Sequence, residues 1–138
     1  MRAWYGVMSK VLASILMTIK QPYNLNAAAG VAVLASLEDA ALLDERACKI
    51  AGVRDRMAEA LASVPWIAPY PSEANFVLCR LDGVDALEVK NRLASRGIFV
   101  RYFDTAMLRN HLRISAGLEE HIEPVVRALR EIGAELGR

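Results

Sequence analysis

Cysteine is scarce. The 138 residues hold two, Cys48 and Cys79, far apart and in different local patterns, one helical and one strand-like. They read as small core residues of a reducing compartment, so no disulfide framework is expected to order the chain. Histidine is as rare. His111 and His121 have no Cys, His or Asp partner at a metal-ligand spacing, and no metal site is expected. A surplus of one charge is also missing: 17 Lys and Arg face 16 Asp and Glu, for a net charge of +1. That balance, with no basic cluster interleaved with aromatics, gives no reason to expect nucleic acid or an acidic membrane as partner. A long hydrophobic run is absent too. "VLASILMTI", near the N-terminus, is too short to span a bilayer and is closed by Lys20. With its early positive charge it has the outline of a signal peptide, and "NAAAG" that of a cleavage site. Cleavage there would cut away the start of the next helix, and a cytoplasmic chain is expected. Internal repeats and low-complexity tracts are not found.

What is present is a globular composition, 54% apolar and 24% charged, in a chain long enough for one domain with a real core. Residues 8 to 19 form a short amphipathic segment. "KQPYNLN" breaks it, because Pro22 cannot continue a helix and Asn24 and Asn26 favour turns and caps. "AAAGVAVLASL" is small and apolar nearly all round, which predicts a helix buried on most of its surface. From about Asp39 to Ser63 a longer helix is predicted, with Leu43, Ala47, Ile50, Met57, Leu61 and Val64 as one apolar stripe among solvated charges. "VPWIAPYPSEAN" reads as an extended, proline-rich connector. "NFVLCRL" is a strand. Asp85 can cap a helix running to Arg96, with Ala86, Val89 and Leu93 inward and Gly97 as its stop. "IFVRY" and "HLRIS" are two further strands, and the chain ends in a helix carrying Ile122, Val125, Val126, Leu129, Ile132 and Leu136. Pro124 leaves the start of that helix open. Helices with a small, antiparallel-rich sheet make an α+β domain of two packed layers.

Two arginines stand out. Side chains alternate across a strand, so Ile98 and Val100 point one way, Phe99 and Arg101 the other. In "HLRIS", Leu112 and Ile114 point one way, and His111, Arg113 and Ser115 the other. If both aliphatic faces meet the helices, Arg101 and Arg113 share the opposite face, and the loop between them permits antiparallel pairing. Two neighbouring cations, partly shielded from water, repel. An anion gripped by both resolves the repulsion, and a guanidinium suits carboxylate or phosphate. The bland alternative is that each arginine pairs with an internal carboxylate or points to solvent at a sheet edge, and Arg80 is read that way.

The segments "KQPYNLN", "PYPSEANFVLCR", "RGIFVRYF" and "LRISAG", in this order and at these intervals, resemble the C-terminal part of the histidinol-phosphate aminotransferase family. This is a pyridoxal-phosphate family of the aspartate-aminotransferase fold, and the resemblance runs over nearly the whole chain. It implies that Arg113 grips the anionic end of a small amino substrate and that Arg101 assists. It also implies that "RAWYG" ends the stretch that holds the cofactor, with Arg2 in place of the arginine that binds the cofactor phosphate. Trp4 departs from the family's glycine there. Tyr23 and Asn24 fall in a segment near the active site and dimer interface, and are weaker candidates for lining the site, with packing as their other reading. On this basis residues 1–26 are a remnant of the large-domain junction and 27–138 the small domain.

The resemblance also defines what is not in these residues. The family's Schiff-base lysine would precede Arg2. Lys10 and Lys20 are not in the matching context, and neither the pyridine-nitrogen Asp nor the ring-stacking aromatic has a counterpart. The expectation is a piece of an enzyme, homodimeric in kind, that transfers an amino group between histidinol phosphate and 2-oxoglutarate in histidine biosynthesis. The chain alone is expected to be inactive. The alternatives are a related aminotransferase or decarboxylase of the same superfamily, or a non-enzymatic α+β module that binds a small anion or a partner chain.

Overall fold

A computed structural model describes residues 6–21 and 25–138. Its contacts divide the chain into two compact units, Met1–Glu45 and Arg46–Arg138. Among the described residues no helix is long and apolar enough to cross a membrane.

The first unit is helical. Helix α1, Lys10–Ile19, starts where the Ser9 side chain accepts a hydrogen bond from the Leu12 amide, and α2, Ala27–Glu38, where Asn26 accepts one from Ala29 at 2.7 Å. Both caps satisfy amides that a helix start leaves without partners. Helix α1 buries no residue and α2 buries only Ala29. Val31, Leu34 and Leu37 stay 60% or more exposed, so the burial expected of α2 is not achieved among the described residues. Its side chains are small and apolar on every side, a pattern that marks a helix made to be covered but does not say by what.

Helix α3, Ala40–Ala62, begins in the first unit and ends in the second. Its predicted stripe is used only in the C-terminal half. Val53, Met57 and Leu61 are buried, while Leu43 and Ile50 are each 41% exposed. Val64 then turns the chain into the sheet and is fully buried.

The second unit is a four-stranded antiparallel sheet under helices. The strands are β1 (Ile67–Pro69), β2 (Phe76–Leu81), β3 (Arg101–Tyr102) and β4 (His111–Ser115), in the order β1-β2-β4-β3. Strand β1 was not expected: three residues of the proline-rich connector pair with β2. Proline is tolerated there because Pro69 lies on an edge strand, which need not donate on its outer side. Strand β3 is shorter than the predicted "IFVRY". The cause is the end of α4, Ala86–Ser95. Gly97 adopts a left-handed φ of 78° and its amide bonds Ala94, while the Ile98 amide reaches back to the Leu93 carbonyl at 2.9 Å. These two hydrogen bonds close the helix and tie Ile98 to it rather than to the sheet. Ile98, Val100 and Tyr102 still pack against the core.

One face of the sheet, with Val77, Cys79, Leu81, Leu112 and Ile114, meets Met57 and Leu61 of α3, Val89 and Leu93 of α4, and Leu129 and Ile132 of α5 (Ile122–Glu135). A short 3-10 turn, Glu119–His121, leads into α5. Pro124 sits in the first turn of α5, where its missing N–H costs nothing. The result is the expected α+β layering, and it leaves the other face of the sheet for polar side chains.

Candidate functional site

On that other face, β2 presents Phe76, Leu78 and Arg80, and β4 presents His111, Arg113 and Ser115. Strand β4 is central. Arg113 lies opposite Leu78 on one side and opposite Arg101 of β3 on the other. The sequence argument put the two arginines on one face; the register makes them direct cross-strand neighbours. Like charges directly opposite in an antiparallel pair are destabilising, so the arrangement calls for a counter-charge.

No carboxylate among the described residues supplies it. Glu119 is engaged by Arg56, whose hydrogen bonds hold the Glu119 carboxyl below its ordinary range. Asp104 approaches Arg109 at 3.9 Å. Arg80 is the contrast: its Nε is 2.9 Å from Asp82, a surface pair that bears out the bland reading of that residue. Arg113 is half-buried, and its Nε is covered without a hydrogen-bond partner among the described residues. A buried donor left unpaired is costly, and the deficit points to an acceptor that arrives from elsewhere. Arg101 is exposed.

Aromatic rings stand where carboxylates do not. The Arg113 guanidinium carbon lies over Phe76 at 5.1 Å and over Phe103 at 5.8 Å, and that of Arg101 lies over Phe103 at 5.3 Å from the ring centroid. Further along the same face, Tyr70 stacks on His111 with ring centroids 5.7 Å apart, and its hydroxyl is 3.4 Å from Nε2. His111 Nδ1 is covered and unpaired among the described residues. Sequence reasoning did not single out Phe76, Phe103, Tyr70 or His111 for the site. The parity of Phe103 with Arg101 in "RYF" was the available signal for one of them. Arg2, Tyr23 and Asn24 lie outside the described residues.

A shallow cavity of about 280 Å³ is lined by Met57, Phe99, Val100, Ser115, His121 and Val125 among others, and neither arginine lines it. What the paired-arginine face can do chemically is hold one small anion. A carboxylate or a phosphate between two cations accepts several charge-assisted hydrogen bonds and removes their repulsion.

Known proteins share this arrangement of chain. The chain is 40% identical over 133 residues to the histidinol-phosphate aminotransferase of Dehalococcoides mccartyi, a match covering 96% of this chain and 37% of that protein. The fold matches the crystal structure of the histidinol-phosphate aminotransferase from Clostridium acetobutylicum with a TM-score of 0.81 at 25% identity, over 91% of this chain and 39% of the other. The enzyme of the same name from Sinorhizobium meliloti, solved in complex with pyridoxal-5'-phosphate, matches with a TM-score of 0.77 at 31% identity, over 90% of this chain and 34% of the other. The chain thus spans little more than a third of the length of these relatives. The family model for aminotransferase class I and II matches residues 1–129, and the chain belongs to that family.

Proposed function

We propose that this chain is the anion-recognition part of a pyridoxal-phosphate-dependent aminotransferase, one that passes the amino group of histidinol phosphate to 2-oxoglutarate in histidine biosynthesis. The observation that carries the reading is the direct opposition of Arg101 and Arg113 with no carboxylate between them among the described residues. Histidinol phosphate ends in a phosphate and 2-oxoglutarate in a carboxylate. A fixed pair of guanidinium groups accepts either.

In this reading Arg113, on the central strand, is the principal grip, and Arg101, on the exposed edge, assists. Their part is orientation: an anionic substrate held at both arginines is presented with its other end toward the reacting centre, and part of the entropic cost of reaction is met on binding. Pyridoxal phosphate, when bound, supplies the conjugated ring that takes up the electron pair released as the amino group moves. Arg2 is assigned to the cofactor phosphate, and Tyr23 and Asn24 to the wall of the site. The covered, unpaired Nε of Arg113 suits the anionic end of the substrate, so the described residues fit the substrate side of such a centre. Residues 1–26 then belong to the junction with a larger domain and residues 27–138 to the small domain. The active enzyme is a cytoplasmic homodimer. The two unpaired thiols, Cys48 and Cys79, suit a reducing compartment.

Two assays test the reading together. An enzyme that contains this segment should transfer the amino group of histidinol phosphate to 2-oxoglutarate. The 138 residues alone should not, and borohydride with pyridoxal phosphate should label neither Lys10 nor Lys20 stoichiometrically. Turnover by the segment alone, or refusal of histidinol phosphate by the whole enzyme, overturns it.

A further inference from the structure

The two arginines lack carboxylate partners among the described residues, yet each lies over an aromatic ring, and one ring serves both. The Phe103 centroid is 5.3 Å from the guanidinium carbon of Arg101 and 5.8 Å from that of Arg113, while Phe76 lies 5.1 Å from Arg113. Phe103 follows Arg101 by two residues and so falls on its side of the chain. Phe76 pairs with Ser115, which sets it diagonally from Arg113 across the sheet. Neither ring is fully exposed.

The chemistry of such a contact differs from that of an ion pair in one decisive way. A ring face attracts a cation through its quadrupole but takes none of its hydrogens, which lie in the guanidinium plane. A carboxylate in the same place would neutralise the charge and occupy the donors. An aliphatic residue would leave the two long side chains free to splay apart, as repulsion favours.

We infer that Phe103, seconded by Phe76, is a positioning residue for anion binding. It holds Arg101 and Arg113 in one place and leaves their in-plane donors without a partner among the described residues, for an incoming carboxylate or phosphate. This rests on the reading of the two arginines as an anion grip, and the test separates the two ideas.

The test uses the 138-residue chain labelled with ¹⁵N, inorganic phosphate as the probe, and the arginine Nε–H resonances as the readout. Before phosphate is added, ring currents should already displace the Arg113 side-chain protons upfield. Phosphate should then move the Nε–H signals of both arginines along one binding curve. Phe103→Leu should weaken phosphate binding about three- to tenfold, the loss expected from removing cation–π contacts. Phe103→Tyr should restore it, and Phe76→Leu should weaken the response at Arg113 more than at Arg101. Melting temperatures of all variants separate positioning from mere packing, which would lower stability and leave the affinity of the folded chain unchanged. If the unsubstituted chain does not respond to phosphate, the anion grip falls and the inference with it. If it responds and Phe103→Leu binds as tightly, the inference alone falls. If Phe103→Leu does not fold, Phe103→Met takes its place under the same criterion: unchanged phosphate affinity overturns the inference, and a loss of about three- to tenfold upholds it.

Discussion

Arg113 and Arg80 occupy the same face of neighbouring strands in opposite surroundings. Arg80 has Asp82 at 2.9 Å, and Arg113 has two aromatic rings and an unpaired Nε. In an enzyme carrying this segment, Arg113→Ala should lower kcat/KM on the order of tenfold to a hundredfold, the loss of a charge-assisted hydrogen bond to the substrate, whereas Arg80→Ala should change it little. Equal losses in steady-state assays would place the grip elsewhere on the face. The thiols differ as sharply. Cys79 is fully buried on the core side of β2, and burial pushes its pKa up to about 12 from an ordinary 9.0; Cys48 is exposed on α3. At neutral pH a maleimide should label Cys48 quickly and Cys79 only as the fold opens. The sign for stability follows. Between pH 9 and about 12 the unfolded chain sheds the Cys79 proton that the native chain keeps, so this group's contribution is intact below pH 9 and declines through that window. Alkaline denaturation of Cys79→Ala and Cys79→Ser variants should show a flatter pH dependence there.

At the level of the elements, α4 and α5 show where side-chain chemistry sets the boundaries. Asp85 accepts from the Leu87 amide at 3.0 Å, and Asp85→Ala should cost about 1 kcal/mol in chemical denaturation. Gly133 in α5 faces the Trp66 ring so closely that an added Cβ would come within 2.4 Å of Nε1. Alanine is the better helix former, yet Gly133→Ala should destabilise by about 1–3 kcal/mol, because overpacking a rigid ring outweighs propensity. A stabilised variant would mean that the indole moves aside freely. These elements also show what the sequence could reveal. The span of α3, the cap and stop of α4, and the alternation in β2 and β4 were all legible, since each is written in residues close in sequence. Strand β1 was not, because three residues that include a proline, in a proline-rich stretch, become a strand only when β2 offers its edge. Nor was the shortening of β3, which depends on Ile98 being held by the end of α4. The shared face of Arg101 and Arg113 followed from parity alone. Their direct opposition needed the register, and the rings beside them needed the packed sheet.

Across the whole molecule, the two units differ in how far they bury their apolar residues. In α1 and α2, Val11, Ile15, Ile19, Val31, Leu34 and Leu37 are more than half exposed, whereas the helices over the sheet bury theirs. Exposed apolar surface of this kind favours association. Sedimentation of the 138-residue chain should therefore show mass rising with concentration, and Val31→Gln with Leu34→Gln should reduce it; a monomer throughout would show that these helices are tolerated in water. The cross-strand arginine pair has a consequence of another kind. Like charges face to face make the resting sheet weaker than it need be. Arg101→Thr, which places a good strand former there, should raise the melting temperature by roughly 1–4 °C. It should also abolish much of the rise that phosphate gives the unsubstituted chain, since a bound anion stabilises only what it binds. A population selected for heat tolerance alone would discard this pair; under the proposed reading, what keeps it is the anion, at the expense of the melting point.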